Sequence, residues 1–246
     1  MLPFLLLAHR AEDAAADDEH ASIARIGGLG EGGLHRVRME RESFAGLDLA
    51  AYAGVILGGG PYNASDPPQD KSPTQRRVEA ELGMLLGQIV DRDVPFLGLC
   101  YGIGMLGTRL GGVVDRTFGE PVGRIDVVLT DAGRVDPLFE GLPERFEAFG
   151  GHKEGLTVVP VGVTVLATSP VCPVQAFRVG HNVYAVQFHP ELDAAGLGTR
   201  IDAYRDFGYF PPEHAEALKA AARAREVPHA GRLLRRFVRR YSRPMP

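Results

Sequence analysis

The stretch Val94-Pro95-Phe96-Leu97-Gly98-Leu99-Cys100-Tyr101-Gly102-Ile103-Gly104 sets one cysteine between a short apolar run and a helix-like segment, with glycines two residues to either side. This is the pattern of a strand that turns sharply into a helix. Glycines at such a turn remove the Cβ clashes of a tightly bent backbone. The helix that follows starts at the sulfur. Its unpaired N–H groups and positive end favour a thiolate there and can donate to an oxyanion formed beside it. Cys100 is therefore the candidate nucleophile.

A thiol nucleophile needs a base, and the chain offers one in Val183-Tyr184-Ala185-Val186-Gln187-Phe188-His189-Pro190-Glu191. A buried strand runs into His189, and Pro190, which brings no N–H to a ladder, ends it. Glu191, two residues on, can bond the imidazole nitrogen that faces away from sulfur, fixing its tautomer and orientation. A third string, Gly54-Val55-Ile56-Leu57-Gly58-Gly59-Gly60-Pro61, reads as a strand and a glycine turn. Only glycine lets backbone amides come this close to a reacting carbonyl.

In this order and at this separation, the three strings resemble the class I (triad) glutamine amidotransferases, most of all the glutaminase domain of GMP synthase and its stand-alone relatives. The resemblance covers roughly residues 1–195 and is supported by Gly119-Glu120, Gly150-Gly151-His152-Lys153-Glu154 and Cys172–Phe177. It implies a triad of Cys100, His189 and Glu191, and an oxyanion hole formed by the N–H groups of Gly60 and Tyr101. It also implies substrate contacts at Gly59, Glu120, Gly151 and His152. The substrate would be glutamine, with ammonia passed to a separate ATP-dependent synthetase. The family's usual glutamine four residues past the nucleophile is Gly104 here, and its His-Gly-Asp triplet reads His152-Lys153-Glu154. A glycine at 104 opens the alternative of a bulkier γ-glutamyl amide or peptide as substrate. A further alternative is a non-catalytic regulatory subunit that retains the fold.

Composition narrows the field. In 246 residues, 45% are hydrophobic and 24% charged, with a formal net charge of −4. That is an ordinary globular balance with no electrostatic footprint for nucleic acid. The two cysteines lie far apart, which fits a reducing cytoplasm better than a disulfide scaffold. The histidines show no ligand spacing, so no metal site is expected. No Gly-Lys-Ser/Thr loop or dinucleotide fingerprint occurs, so no cofactor is expected either. The apolar start Met1–Ala8 lacks a basic leader and reads as a first buried strand. No apolar run is long enough to span a membrane.

Strands are expected at 3–8, 34–39, 53–58 and 94–98, and helices at 12–26, 74–90 and 102–111. This is a βαβ alternation implying an α/β fold: a mostly parallel twisted sheet, flavodoxin-like, with helices on both faces. Sites in such sheets form at the carboxyl ends of strands. Residues 120–180 look β-rich and fit antiparallel strands at the far edge, with a short helix within the turn-rich Asp136–Pro143. Asp17-Asp18-Glu19 reads as a solvated helix face, and Cys172 as structural. Beyond a domain spanning 1–195, residues 196–246 form a C-terminal helical extension packed on it, with helices near 196–206, 212–225 and 229–241. The last of these has an apolar docking face (Leu233, Leu234, Phe237, Val238, Tyr241) and a solvated arginine face.

Overall fold

The computed structural model describes residues 1–242. The first half alternates: β1 (Phe4–Ala8), α1 (Asp13–Gly27), β2 (Leu34–Arg38), β3 (Val55–Leu57), α2 (Pro73–Asp91), β4 (Phe96–Leu99) and α3 (Tyr101–Arg109). The middle is mostly strand: β5 (Val113–Asp115), β6 (Glu120–Leu129), α4 (Asp131–Val135), β7 (Arg145–His152), β8 (Gly155–Val158), β9 (Thr164–Thr168), β10 (Ala176–Val179) and β11 (Val183–Val186). Three helices close the chain: α5 (Ala194–Ala203), α6 (Ala215–Arg223) and α7 (Ala230–Tyr241).

The main sheet runs β2-β1-β3-β4-β11-β10-β9-β6-β7, and β5 and β8 pair separately. From β2 to β11 the pairing is parallel, and from β11 outward it is antiparallel. The α/β architecture with an antiparallel far edge is thus as the sequence indicates. Alternation along β1 shows how the sheet is covered on both sides. Phe4, Leu6 and Ala8 share a core with Ile23 of α1 and with Leu233, Leu234 and Phe237 of α7. Leu5 and Leu7 face the other way, into a core with Leu82, Leu86 and Ile89 of α2 and Ile103 and Leu106 of α3. Ser72 caps α2, its side chain accepting from the Gln75 N–H at 3.0 Å with Pro73 in the first turn.

Two local readings are corrected. The short helix expected within 136–143 lies earlier, at Asp131–Val135. The Thr130 hydroxyl accepts from the Gly133 N–H and starts it, and Asp136-Pro137 stops it. The acidic run of α1 is not wholly solvated: Glu19 is fully buried.

Four neighbouring parallel strands, β1, β3, β4 and β11, end on one edge. The residues that follow them are His9 and Arg10, Gly58–Gly60, Cys100, and Gln187–Glu191. Cys100 takes φ 50° and ψ −91°, one of only two non-glycine residues with positive φ among the described residues. The turn is tight enough that a Cβ on Gly98 would lie 3.0 Å from Cα of Gly102 and 3.0 Å from the Phe96 ring. Gly98→Ala is therefore expected to cost about 1–3 kcal/mol of stability and to displace the Cys100 turn, measured by chemical denaturation and by the rate of thiol alkylation.

Candidate active site

Three consecutive glycines let three side chains reach the strand ends. A Cβ on Gly58 would lie 2.6 Å from Oε2 of Glu19, one on Gly59 2.6 Å from Cε1 of His189, and one on Gly60 2.2 Å from the His9 ring. The Gly59 position also lies 3.3 Å from Cβ of Cys100 and 3.3 Å from Nη2 of Arg10. Thiol, imidazole and guanidinium thus surround one point of bare backbone.

His189 is fixed from both sides. Its N–H donates to the Phe149 carbonyl at 2.8 Å, tying it to β7. Its ring Nδ1 lies 2.7 Å from Oε1 of Glu191. Arg200 of α5 donates to the same carboxylate oxygen at 2.8 Å and lies 3.0 Å from Nδ1. The carboxylate on that side can only accept, so Nδ1 carries its proton toward Glu191, and Nε2 is left as the free basic nitrogen. Burial works against charge on Glu191, yet His189 and Arg200 hold its carboxyl well below the usual carboxylate range. Burial lowers the His189 imidazole too, and Glu191 only partly restores it. Burial pushes the Cys100 thiol up to about 12, with Arg10 the main opposing charge. At neutral pH this favours a neutral thiol–imidazole pair, with thiolate forming as the proton moves to His189.

Sequence reasoning missed Arg10, Glu19, Arg200, Tyr204 and Tyr209. Arg10 is buried, its Nε donating to Oε1 of Glu19 at 2.9 Å and its Nη1 to the Tyr204 hydroxyl at 3.0 Å. His9 is stacked against Tyr62 and lies beside Tyr101, with its pKa lowered to about 3, first by burial and then by Arg10. The amide N–H groups of Gly60 and Tyr101 have no acceptor among the described residues; for Tyr101 this is expected, since α3 begins there.

Cys100 sits between two cavities. One, open to solvent, is lined by Cys100, His189, Gly151, Arg10, Arg200 and apolar side chains. The other, narrower, is lined by Cys100, Tyr101, Asn63, His152, Glu154 and Gln187. Gly60 and Tyr209 border both, and the Tyr209 hydroxyl reaches the Gly60 carbonyl at 3.4 Å. The predicted substrate contacts are thus divided. Gly151 faces the first cavity, His152 the second, and Gly59 backs the imidazole. Glu120 lines neither. It lies behind His152, bonded to Nε2 at 2.8 Å, and also takes hydrogen bonds from Ser169 and Gln175. Cys172 joins Glu120 and His152 in the one trio of potential metal donors among the described residues. Hydrogen bonds already engage both oxygens of that carboxylate and both His152 nitrogens, which fits a structural network.

The room left by Gly104 is taken. Oε1 of Glu154 lies 2.7 Å from where a Cβ at 104 would stand, and the two Glu154 oxygens accept from the Ala64 and Ser65 N–H groups at 2.8 Å each. Glycine at 104 admits a carboxylate of the protein itself and does not widen the pocket.

Residues 32–202 match the sequence family described as Glutamine amidotransferase class-I. The chain belongs to this family. A GMP synthase [glutamine-hydrolyzing] from Thermosipho africanus is 31% identical over 150 residues, 61% of this chain and 26% of that protein. One from Streptomyces avermitilis is 32% identical over 166 residues, 65% of this chain and 28% of that protein. The amidotransferase chain thus spans about a quarter of the length of the curated relatives it matches. Among solved structures, a glutamine amidotransferase from Thermotoga maritima superposes with TM-score 0.78 at 24% identity, covering 98% of both chains. A glutamine amido transferase from Methylobacillus flagellatus gives 0.72 at 19% identity, covering 100% of this chain and 98% of that one. At these identities the likeness is one of fold. No described helix of this amidotransferase is long and apolar enough to cross a membrane.

Two outcomes test the geometry. Gly59→Ala is expected to displace the imidazole and lower kcat by roughly a hundredfold or more, with far-UV circular dichroism unchanged. Because Glu191 raises the His189 pKa, Glu191→Gln moves the acid limb of the kcat/KM profile to still lower pH, while the loss of orientation cuts kcat by up to about 10⁴-fold. An acid limb that moved upward would contradict the arrangement.

Proposed function

We propose that this protein hydrolyses the side-chain amide of glutamine through a thioester on Cys100. The observation that carries this reading is the convergence of the strained Cys100 turn and the Glu191-bound His189 on the bare backbone of Gly59. As the proton passes from Cys100 to Nε2 of His189, sulfur attacks the amide carbon. The oxyanion is received by the N–H groups of Gly60 and Tyr101. The C–N bond breaks as His189 returns its proton to the departing nitrogen, and ammonia leaves. Water, deprotonated by His189, then cleaves the γ-glutamyl thioester to glutamate and free thiol. Arg10, the main cation acting on the thiol, opposes the cost of thiolate there.

The ammonia would serve a separate ATP-consuming synthetase, in keeping with the GMP synthases to which the chain is similar. We take residues 1–195 as the amidotransferase unit. We take 196–246 as an extension that completes the site, since Arg200, Tyr204 and Tyr209 all come from it.

Incubation with glutamine and rapid acid quench should trap a γ-glutamyl adduct on Cys100, visible by mass spectrometry. Cys100→Ala should show no adduct and no ammonia. Ammonia release that persisted in Cys100→Ala would overturn the reading.

A further inference from the structure

The two amides assigned to the oxyanion come from separate segments, and something must fix the gap between them. Tyr101 is held by its place at the start of α3, in a turn anchored where the Cys100 N–H donates to the Val186 carbonyl at 2.8 Å. Gly60 has no such support. Among the described residues, Gly59, Gly60, Pro61 and Tyr62 make no backbone–backbone hydrogen bond. The Gly60 carbonyl is met only by the Tyr209 hydroxyl, at 3.4 Å. The position of this turn is therefore set by packing.

One side chain packs against both segments. His9 directly follows β1, and the strand end that carries it is tied on two sides: the Gly58 N–H donates to the Leu7 carbonyl at 2.9 Å, and the Met39 N–H to the Ala8 carbonyl at 2.8 Å. The three atoms nearest a Cβ at position 60 all belong to the His9 ring, Cε1 at 2.2 Å. The same ring is stacked on Tyr62 with centroids 5.0 Å apart and lies 4.4 Å from the Tyr101 ring. Tyr62 and Tyr101 themselves meet edge-on at 6.2 Å. Each tyrosine belongs to one of the two donor segments, so the imidazole stands between them as a spacer. It is 1% exposed, and neither ring nitrogen has a hydrogen-bond partner of good geometry. A buried ring that forgoes hydrogen bonds acts here through shape and contact.

We infer that His9 is a positioning residue whose ring sets the separation of the Gly60 and Tyr101 amides, and with it the width of the oxyanion hole. This rests on the thioester chemistry proposed above. The ring lines neither cavity beside Cys100, so it acts through the two segments and not on the substrate. Its influence is confined to steps in which an oxyanion forms. Attack of the Cys100 sulfur on an amide builds charge that the hole must receive. Displacement of iodide from iodoacetamide by the same sulfur builds none there. Gly60 has no positive φ, so the His9 ring, and not the backbone, is what bars a methyl group from position 60.

The test compares two reactions of one thiol: acylation of Cys100 by glutamine, read by mass spectrometry and as kcat and KM, and alkylation by iodoacetamide. In His9→Ala, kcat should fall about tenfold to a hundredfold, while KM and the alkylation rate stay within about threefold of the unaltered protein. The intact alkylation rate also reports that the site is folded. His9→Leu, which keeps the volume and loses no hydrogen bond, should hold kcat within about threefold. Gly60→Ala should lower kcat in the unaltered protein, where it meets the ring, and leave it unchanged or raise it in His9→Ala, where the methyl refills part of the emptied space. An unchanged kcat in His9→Ala, a fall in alkylation as large as the fall in acylation, a loss in His9→Leu equal to that in His9→Ala, or equal losses from Gly60→Ala in both backgrounds would each overturn the inference and leave the thioester reading standing. Failure of glutamine to acylate Cys100 in the unaltered protein would overturn both.

Discussion

Four buried charges hold the site together. Arg10 pairs with Glu19, Arg200 with Glu191, and Arg200 approaches Glu19 at 3.7 Å, so two ion pairs share a boundary behind the thiol and imidazole. Buried ion pairs are weak sources of stability, since each ion loses several kcal/mol of hydration that partners only partly return. This cluster is not even fully satisfied: Oε2 of both glutamates has no hydrogen bond. What the arrangement provides is position. Its members come from the end of β1, from α1, from beyond β11 and from α5, so the imidazole can turn only if several elements move together.

The surrounding backbone is shaped to admit this cluster. The glycine at 58 is where Glu19 enters, the one at 59 is where His189 and Arg10 meet, and the one at 60 is where His9 lies flat. A glycine triplet after a strand is usually read as a turn or a phosphate loop. Here the missing Cβ atoms serve as sockets for protein side chains.

The parts of this molecule legible in the sequence follow local rules. The strand–cysteine–helix turn, the strand ending at His189-Pro190 and the capped α2 each depend on residues within a few positions of one another. The covered faces of the sheet follow from simple alternation. The parts that were not legible depend on distant pairs. Glu19 sits in a run of acids that looks solvated, and only Arg10, folded back from the neighbouring strand end, explains its burial. Arg200 lies on a helix with no motif, and Tyr204 directly follows it. Gly104 looked like an opening because Glu154, fifty residues on, could not be placed against it. Signals did exist in retrospect: an isolated His-Arg directly after the first buried strand, and a glutamate where the related pattern carries aspartate.

The position of α5 has a practical meaning for anyone dividing this chain. A fragment cut at residue 195, just past the last of the three motif strings, would hold the sulfur, the imidazole and its carboxylate. It would lack the guanidinium that braces that carboxylate and the phenol that steadies Arg10. Such a piece would look complete by inspection of its motifs and still lack two side chains of the buried cluster, so boundaries drawn from motifs alone are a poor guide to the unit that holds the site in place.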